Sequence, residues 1–291
     1  MKEFHYGGQA VIEGVMIRGA SHMAVAVRKP SGEIVVHSEP LPPGLYSSPF
    51  SKLPFMRGLT MLWDTLVLGT RALMFSADVA LAEENVRFGG PMMWGTLLLS
   101  LVFGVGLFVL LPMLLVGLID RYITVPLLSN LAEGLVRVLF FLAYLLVIRR
   151  LPDIRRVFAY HGAEHKTVNA YEAGVPLTVQ GIKPFPIAHI RCGTSFLVMV
   201  LVLFVLLSAL LGRPPLLWRV LLRLALVPIV AALSYEFIKL TARYHDHALV
   251  RLLTAPGLWL QRLTTQEPDD GMLQVSIAAL QRILAEDQAE V

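Results

Sequence analysis

Met92–Ile119 contains no charged residue. A helix needs about 20 apolar residues to cross a hydrocarbon core of roughly 30 Å, and in lipid only a helix or a closed barrel satisfies its own backbone. This run is long enough, so the chain is expected to be an integral membrane protein built from helices. Composition agrees: hydrophobic residues make up 56% and charged residues 16% of the chain, with a mean hydropathy of +0.65, far more apolar than a soluble domain. Three further segments share this character. Segment 135–148 is apolar apart from Arg137, and it reaches spanning length if the helix starts near 131, where Glu133 can pair with Arg137 one turn later. Segment 194–211 is entirely apolar or small. After a break at 212–215, segment 216–235 carries Arg219 and Arg223 near its start and Pro228 within it. The expected fold is a mainly α membrane protein with about four transmembrane helices.

Segment 57–82 is different, because Asp64, Arg71 and Asp78 recur every seven residues among Trp63, Leu66, Leu73 and Phe75. Charges facing lipid at mid-bilayer are costly, so this segment reads as an interfacial amphipathic helix, or one packed against protein, rather than a fifth span. The ordinary reading of its charged stripe is a solvated face. Segments 23–29 and 33–39 are β-prone and joined by Pro30-Ser31-Gly32, which predicts a small N-terminal β-hairpin. Proline and glycine then mark a linker over 40–54. Near the other end, Met272, Val275, Ile277, Leu280 and Leu284 predict a helix with Asp269 or Asp270 as its cap. The layout is an N-terminal β-containing segment and linker (1–56), the amphipathic helix (57–82), a first membrane pair (92–148), a His-rich segment (149–193), a second membrane pair (194–240) and a helical tail (241–291).

Orientation follows from the basic residues. Arg149, Arg150, Arg155, Arg156, Lys166, Lys183 and Arg191 lie between the second and third spans, whereas Arg121 alone separates the first two. The His-rich segment and both termini are therefore expected in the cytoplasm. Arg213, Arg219 and Arg223 count the other way, and Lys239, Arg243, Arg251 and Arg262 restore the bias. The first residues, MKEFHYGGQA, form no apolar stretch of the kind that makes a cleaved signal. The net charge of +4 and pI near 9.3 fit contact with anionic lipid of the bilayer and call for no nucleic acid.

HGAEHKTVNAYE (161–172) carries the chemistry. Pro152 ends the second span, Asp153 caps a new helix, and Gly174 and Pro176 stop it, so the motif sits on a short helix. At 3.6 residues per turn, His161, Glu164, His165, Val168 and Glu172 form one stripe. His-x-x-Glu-His is the spacing of inverzincin peptidases, in which both histidines hold zinc and the glutamate is the base. His161 and His165 are thus candidate ligands of a divalent metal, zinc by ligand type, and Glu164 is the candidate catalytic base. A catalytic zinc takes three protein ligands, so a further one is required. Glu172 lies two turns beyond His165 on the same stripe. His189 and Cys192, in HIRC, have ligand-like spacing just before the third span. Cys192 is the single cysteine, which excludes an internal disulfide. His245, Asp246 and His247 follow the last span, and Glu236 is another carboxylate at that boundary. Each has an ordinary alternative: packing at a helix start for His189 and Cys192, interfacial anchoring for the 245–247 group, an ion pair with Lys239 or Arg243 for Glu236, and interface packing or loop hydrogen bonds for His161 and His165.

GGQAVIEGVMIRG (7–19), HGAEHKTVNAYE (161–172), HIRCGTSF (189–196), SYEFIKL (234–240) and PGLWLQRLTTQEPDDGMLQVSIAAL (256–280) together resemble the YqhQ-like family of bacterial membrane proteins, in the same order along nearly the whole chain. The family is described as a domain of unknown function and a predicted metal-dependent enzyme. The resemblance implies a multi-pass protein of the bacterial inner membrane, and it makes Gly7, Gly8, Gln9, Glu13, Gly14, Arg18 and Gly19 members of a motif without assigned chemistry. That segment lacks the Gly-Lys-Ser/Thr ending of a phosphate loop. Glu13 and Arg18 are expected to form a buried pair or a packing interface. Two functions are consistent with these residues: a metal-dependent membrane hydrolase with a cytoplasm-facing site and an unidentified substrate, or a non-catalytic scaffold, assembly factor or conduit, with a homo-oligomer as its natural form.

Overall fold

A computed structural model describes residues 6–42, 53–82, 91–244 and 247–289. The N-terminal strands are apolar on both faces, which requires cover on both sides. Strands β1 (Gly7–Val11), β2 (Gly14–Arg18), β3 (His22–Arg28) and β4 (Ile34–Pro40) form an antiparallel sheet in sequential order. The expected hairpin is β3–β4, with Val25 opposite His37. The preceding pair, β1–β2, was not expected as strands, because glycine at 7, 8 and 14 masks their alternation. Glu13 turns the chain between them with a φ of 50°, uncommon for a residue other than glycine. Its carbonyl accepts from Arg28 N–H, and its carboxylate takes both arms of Arg156 at 2.5 Å. Arg156 thus occupies the place expected for Arg18.

Helix α1 (Met56–Ala80) covers one face of this sheet, placing Leu68 and Ala72 against Met16, Met23, Val25 and Val27. Its first turn instead lies beside the membrane bundle, where Arg57 binds Glu236, which also accepts from Phe55 N–H. Glu236 is therefore engaged by Arg57, with Lys239 on its own helix a weaker electrostatic neighbour. Trp63 and Leu66 remain exposed, as suits a helix lying between lipid and protein, and α1 is not among the membrane-spanning candidates.

Among the described residues, four helical stretches are long and apolar enough to cross a membrane: Met92–Ile119, Pro126–Ile148, Gly193–Leu210 and Leu216–Thr241. The chain is a mainly α membrane protein. The first stretch comprises α2 (Pro91–Val105), a π-helical turn (Gly106–Leu110) and α3 (Leu111–Ile119). Pro112 has no N–H to donate to the carbonyl four residues back, that of Phe108, and Arg137 Nε from α4 (Pro126–Ile148) supplies the bond at 2.7 Å. Glu133 accepts from Arg137 as expected.

Between the membrane pairs, α5 (Pro152–Glu172) runs from Pro152 in its first turn to a Schellman stop. Gly174 adopts a φ of 69°, Val175 N–H bonds Ala170 O and Gly174 N–H bonds Tyr171 O. A short turn, α6 (Val179–Ile182), leads to α7 (Gly193–Leu210) and α8 (Leu216–Arg243), the second membrane pair. Helix α9 (Ala248–Thr264) packs on α7, and α10 (Asp270–Ala289), capped by Asp269 at 2.8 Å, lies across the other sheet face with α5. Val15, Ile17, Ala24 and Ala26 meet Ala163, Leu273, Leu280 and Ile283 in that core. Because α4 ends where α5 starts, and α7 starts where the 183–192 loop ends, the sheet, α5 and α10 all sit at one membrane boundary. Connections 120–125 and 211–215 share the opposite boundary, where Arg213 binds Asp120 and Asn130 bonds the carbonyls of Ala209 and Gly212.

Helix α5 touches the 265–269 connection so closely that a Cβ on Gly162 would lie 2.1 Å from the Gln266 carbonyl oxygen. Backbone cannot yield cheaply, so Gly162→Ala is expected to destabilise the sheet-and-helix domain by roughly 1–3 kcal/mol. Thermal melting of the detergent-solubilised variant checks this, and an unchanged midpoint would contradict the packing.

Candidate metal centre

The histidines of α5 are held by main-chain carbonyls. His161 Nδ1 lies 2.8 Å from Thr264 O at the end of α9, and His165 Nδ1 lies 2.6 Å from Ile187 O in the 183–192 loop. A carbonyl only accepts, so each Nδ1 carries the proton and each Nε2 presents its lone pair. The rings are one helical turn apart, with centroids separated by 4.4 Å. Cys192 Sγ lies 3.3 Å from His161 Nε2. One ligand atom from each of His161, His165 and Cys192 falls within 4.8 Å of the others, which makes a candidate three-ligand metal group. Carbonyl bonds to the far nitrogen of ligating imidazoles are the usual way such ligands are oriented.

Glu164 lies beside this trio. One carboxylate oxygen is 3.6 Å from His165 Nε2, and the other accepts the Gly8 N–H at 3.0 Å. Burial raises its pKa above the ordinary carboxylate range, opposed by His161 and His189. Burial likewise pushes His161 down to about 4, with His165 adding to the effect, and His165 down to about 4, with His189 adding. Both imidazoles are therefore neutral near pH 7, the form that binds metal. Burial pushes the Cys192 thiol up to about 11, against the bonds from Thr194 N–H and Thr194 Oγ1.

His189 and Glu172 lie outside the trio. His189 sits beside His165, ring centroids 5.7 Å apart, and its Nε2 is 3.5 Å from Glu172, which also binds Arg191. With Arg191 they form an outer polar layer. His245 and Asp246 lie outside the described residues, and His247 packs near Tyr244.

The loop that carries Ile187, His189 and Cys192 is fixed from two helices. From α5, Lys166 Nζ donates to Lys183 O, and Asn169 Nδ2 donates to Pro186 O and Ala188 O. From α9, Gln261 accepts from His189 N–H at 3.0 Å and donates to His189 O at 2.9 Å, while fully buried. Sequence reasoning missed Gln261, although a lone amide on the apolar face of a helix is a readable sign of a buried hydrogen-bonding role. It also left Gly8 without a task. The carbonyls of Thr264 and Ile187 carry no sequence signal, because any residue supplies one.

Fold and site together define a multi-span membrane protein with a buried His/Cys/Glu cluster at one membrane boundary. A family described as a protein of unknown function (DUF1385) matches residues 53–286. The chain is also 35% identical over 292 residues to the "Uncharacterized protein YqhQ" of Bacillus subtilis (strain 168), covering 96% of this chain and 92% of that one. It belongs to this YqhQ-like family. No solved structure matches it.

The thiol's raised pKa has a measurable consequence. A shift from 9.0 to about 11 lowers the thiolate fraction at about pH 8 roughly a hundredfold. After metal removal with a chelator, Cys192 in the folded protein is expected to react with iodoacetamide far more slowly than in the denatured chain. Equal rates would contradict the burial described.

Proposed function

We propose that this chain is a membrane-bound, metal-dependent hydrolase whose site faces the cytoplasm. The observation that supports it is the convergence of two carbonyl-oriented imidazoles and the lone thiol beside a buried glutamate. The donor set fits a divalent metal: neutral imidazole nitrogens and a sulfur that would bind as the thiolate suit zinc, and three protein ligands are the number a catalytic zinc uses. His161, His165 and Cys192 would hold it. The chemistry a bound divalent cation supplies is Lewis-acid activation of water and of a carbonyl group.

The chain's own residues do the rest. Glu164, held by the Gly8 amide and kept from bulk water, accepts a proton from the attacking water and returns it to the leaving group. Its pKa, raised by burial, makes it a stronger base than an ordinary carboxylate, which favours taking the proton. Thr264 and Ile187 hold the imidazoles in one tautomer throughout. Because Cys192 caps a membrane helix, the site lies near the membrane surface, and an amide or ester presented there is the substrate class this reading takes. The cytoplasmic side follows from the arginines and lysines between the second and third spans.

The burial of His165 and Glu164, 1% and 5% exposed, supports a second reading in which the same ligands form a closed structural site within a scaffold. Metal analysis and kinetics separate the two. Purified wild-type protein is expected to carry one divalent ion per chain. His161→Ala, His165→Ala and Cys192→Ser should each lose most of it, by at least about tenfold in affinity. Glu164→Gln should keep the ion and lose ester or amide cleavage by about a hundredfold or more. A wild type without stoichiometric metal would overturn both readings. A metal-loaded protein inert toward every ester and amide tested, with Glu164→Gln indistinguishable, would leave the structural site.

A further inference from the structure

The opposite boundary of the membrane bundle holds a second buried cluster, which the hydrolase reading leaves unused. At its centre is Glu133 on α4, 1% exposed. One carboxylate oxygen accepts from Arg137 Nη2 at 2.7 Å, the other from Arg223 Nη2 on α8 at 2.9 Å. Both guanidinium groups are themselves buried, at 4% and 2% exposure. One carboxylate is thus shared between two full positive charges. Arg137 spends Nε on the Phe108 carbonyl, yet among the described residues its Nη1, and both Nε and Nη1 of Arg223, meet no acceptor.

Such an arrangement is not explained as packing. A buried charge is tolerated when it is paired and its donors are bonded, and an ionisable group inside a membrane segment marks a ligand site or an ion path. The excess continues toward the boundary. Arg219, one turn before Arg223 on α8, shares with it a narrow crease lined by Leu211, Gly212, Pro214 and Leu222, and Arg219 Nε is buried without an acceptor. Arg213, in the connection before α8, is held by Asp120. Among the described side chains, four arginines therefore accompany two carboxylates. Arg219 and Arg223 lie about 4 and 10 Å along α8 from its first residue, within reach of the headgroup layer for a long side chain.

We propose that Arg219 and Arg223, backed by the Glu133–Arg137 pair, form a binding site for a phosphate-class oxyanion at the membrane boundary opposite the His/Cys centre. The planar guanidinium fork matches phosphate oxygens, and low dielectric strengthens the contact. The site also accounts for Arg213, Arg219 and Arg223 standing on the side of the membrane where basic residues are otherwise sparse.

The test uses the full chain, delipidated in detergent and then placed either in phosphatidylcholine nanodiscs with or without phosphatidylglycerol, or in lipid-free detergent with inorganic phosphate. Native mass spectrometry reads bound anion, and melting reads fold. Wild type is expected to retain phosphatidylglycerol and to melt higher in its presence, with retention at least about tenfold lower in Arg219→Gln and Arg223→Gln. Glu133→Gln removes the internal counter-charge and is expected to bind anion more tightly, where a purely structural network would only lose stability. Stabilisation by inorganic phosphate without lipid assigns the site to a free oxyanion, and stabilisation by phosphatidylglycerol alone assigns it to a headgroup. Should Arg223→Gln not fold, Arg219→Gln at the mouth carries the comparison. Neither probe bound, retention unchanged in Arg219→Gln, or weaker binding in folded Glu133→Gln would overturn the proposal.

Discussion

Two hydrogen bonds from imidazole Nδ1 atoms to main-chain carbonyls fix the orientation of the buried cluster on which the proposed site depends. They leave the far nitrogen of each ring free, that of His161 lying 3.3 Å from the Cys192 thiol, and gather His161, His165 and Cys192 within 4.8 Å. Each anchor comes from a different part of the chain: Thr264 closes α9, Ile187 and Cys192 sit in the loop before a membrane helix, and Gly8 belongs to the first strand. Nothing in α5 alone would bring them together. The centre therefore exists only when sheet, loop, membrane helix and α9 are all folded, and the family match over 53–286 takes in every one of these anchors except Gly8.

The membrane sets the frame in which this happens. Without water to satisfy freed backbone, the carbonyl that Pro112 leaves behind must find a donor, and Arg137 supplies it while also binding Glu133. At the other boundary the bundle hands over to soluble packing through α1, which clasps α8 with Arg57 and then passes beneath the sheet. The cluster of α5 is thereby fixed relative to the lipid surface, which is what gives its position chemical meaning.

Much of this was legible in the residues. Four spans followed from apolar length alone, since no soluble fold buries runs such as Met92–Ile119. The His-x-x-Glu-His stripe placed His161, Glu164 and His165 on one helix face, and the HIRC spacing put Cys192 within reach. What escaped was long-range pairing. Glu13 was matched with Arg18, five residues away, whereas it reaches Arg156 through the turn that β1–β2 makes. Glu236 was weighed against neighbours on its own helix and instead meets Arg57. The β1–β2 pair was hidden by its glycines, of which Gly8 and Gly14 serve close backbone approach: a Cβ on Gly14 would lie 2.3 Å from the Ala26 carbonyl oxygen. Glu172 and His189 were plausible ligands by spacing, but Glu172, two turns beyond His165, meets Arg191 and His189 instead.

X-ray absorption of the purified zinc-loaded protein reads the proposed coordination most directly. Two imidazole nitrogens at about 2.0 Å and one sulfur at about 2.3 Å are expected, with at most one further light ligand. The sulfur contribution should vanish in Cys192→Ser. A wild-type shell of nitrogen and oxygen alone, unchanged by that substitution, would contradict the convergence of His161, His165 and Cys192 on one metal.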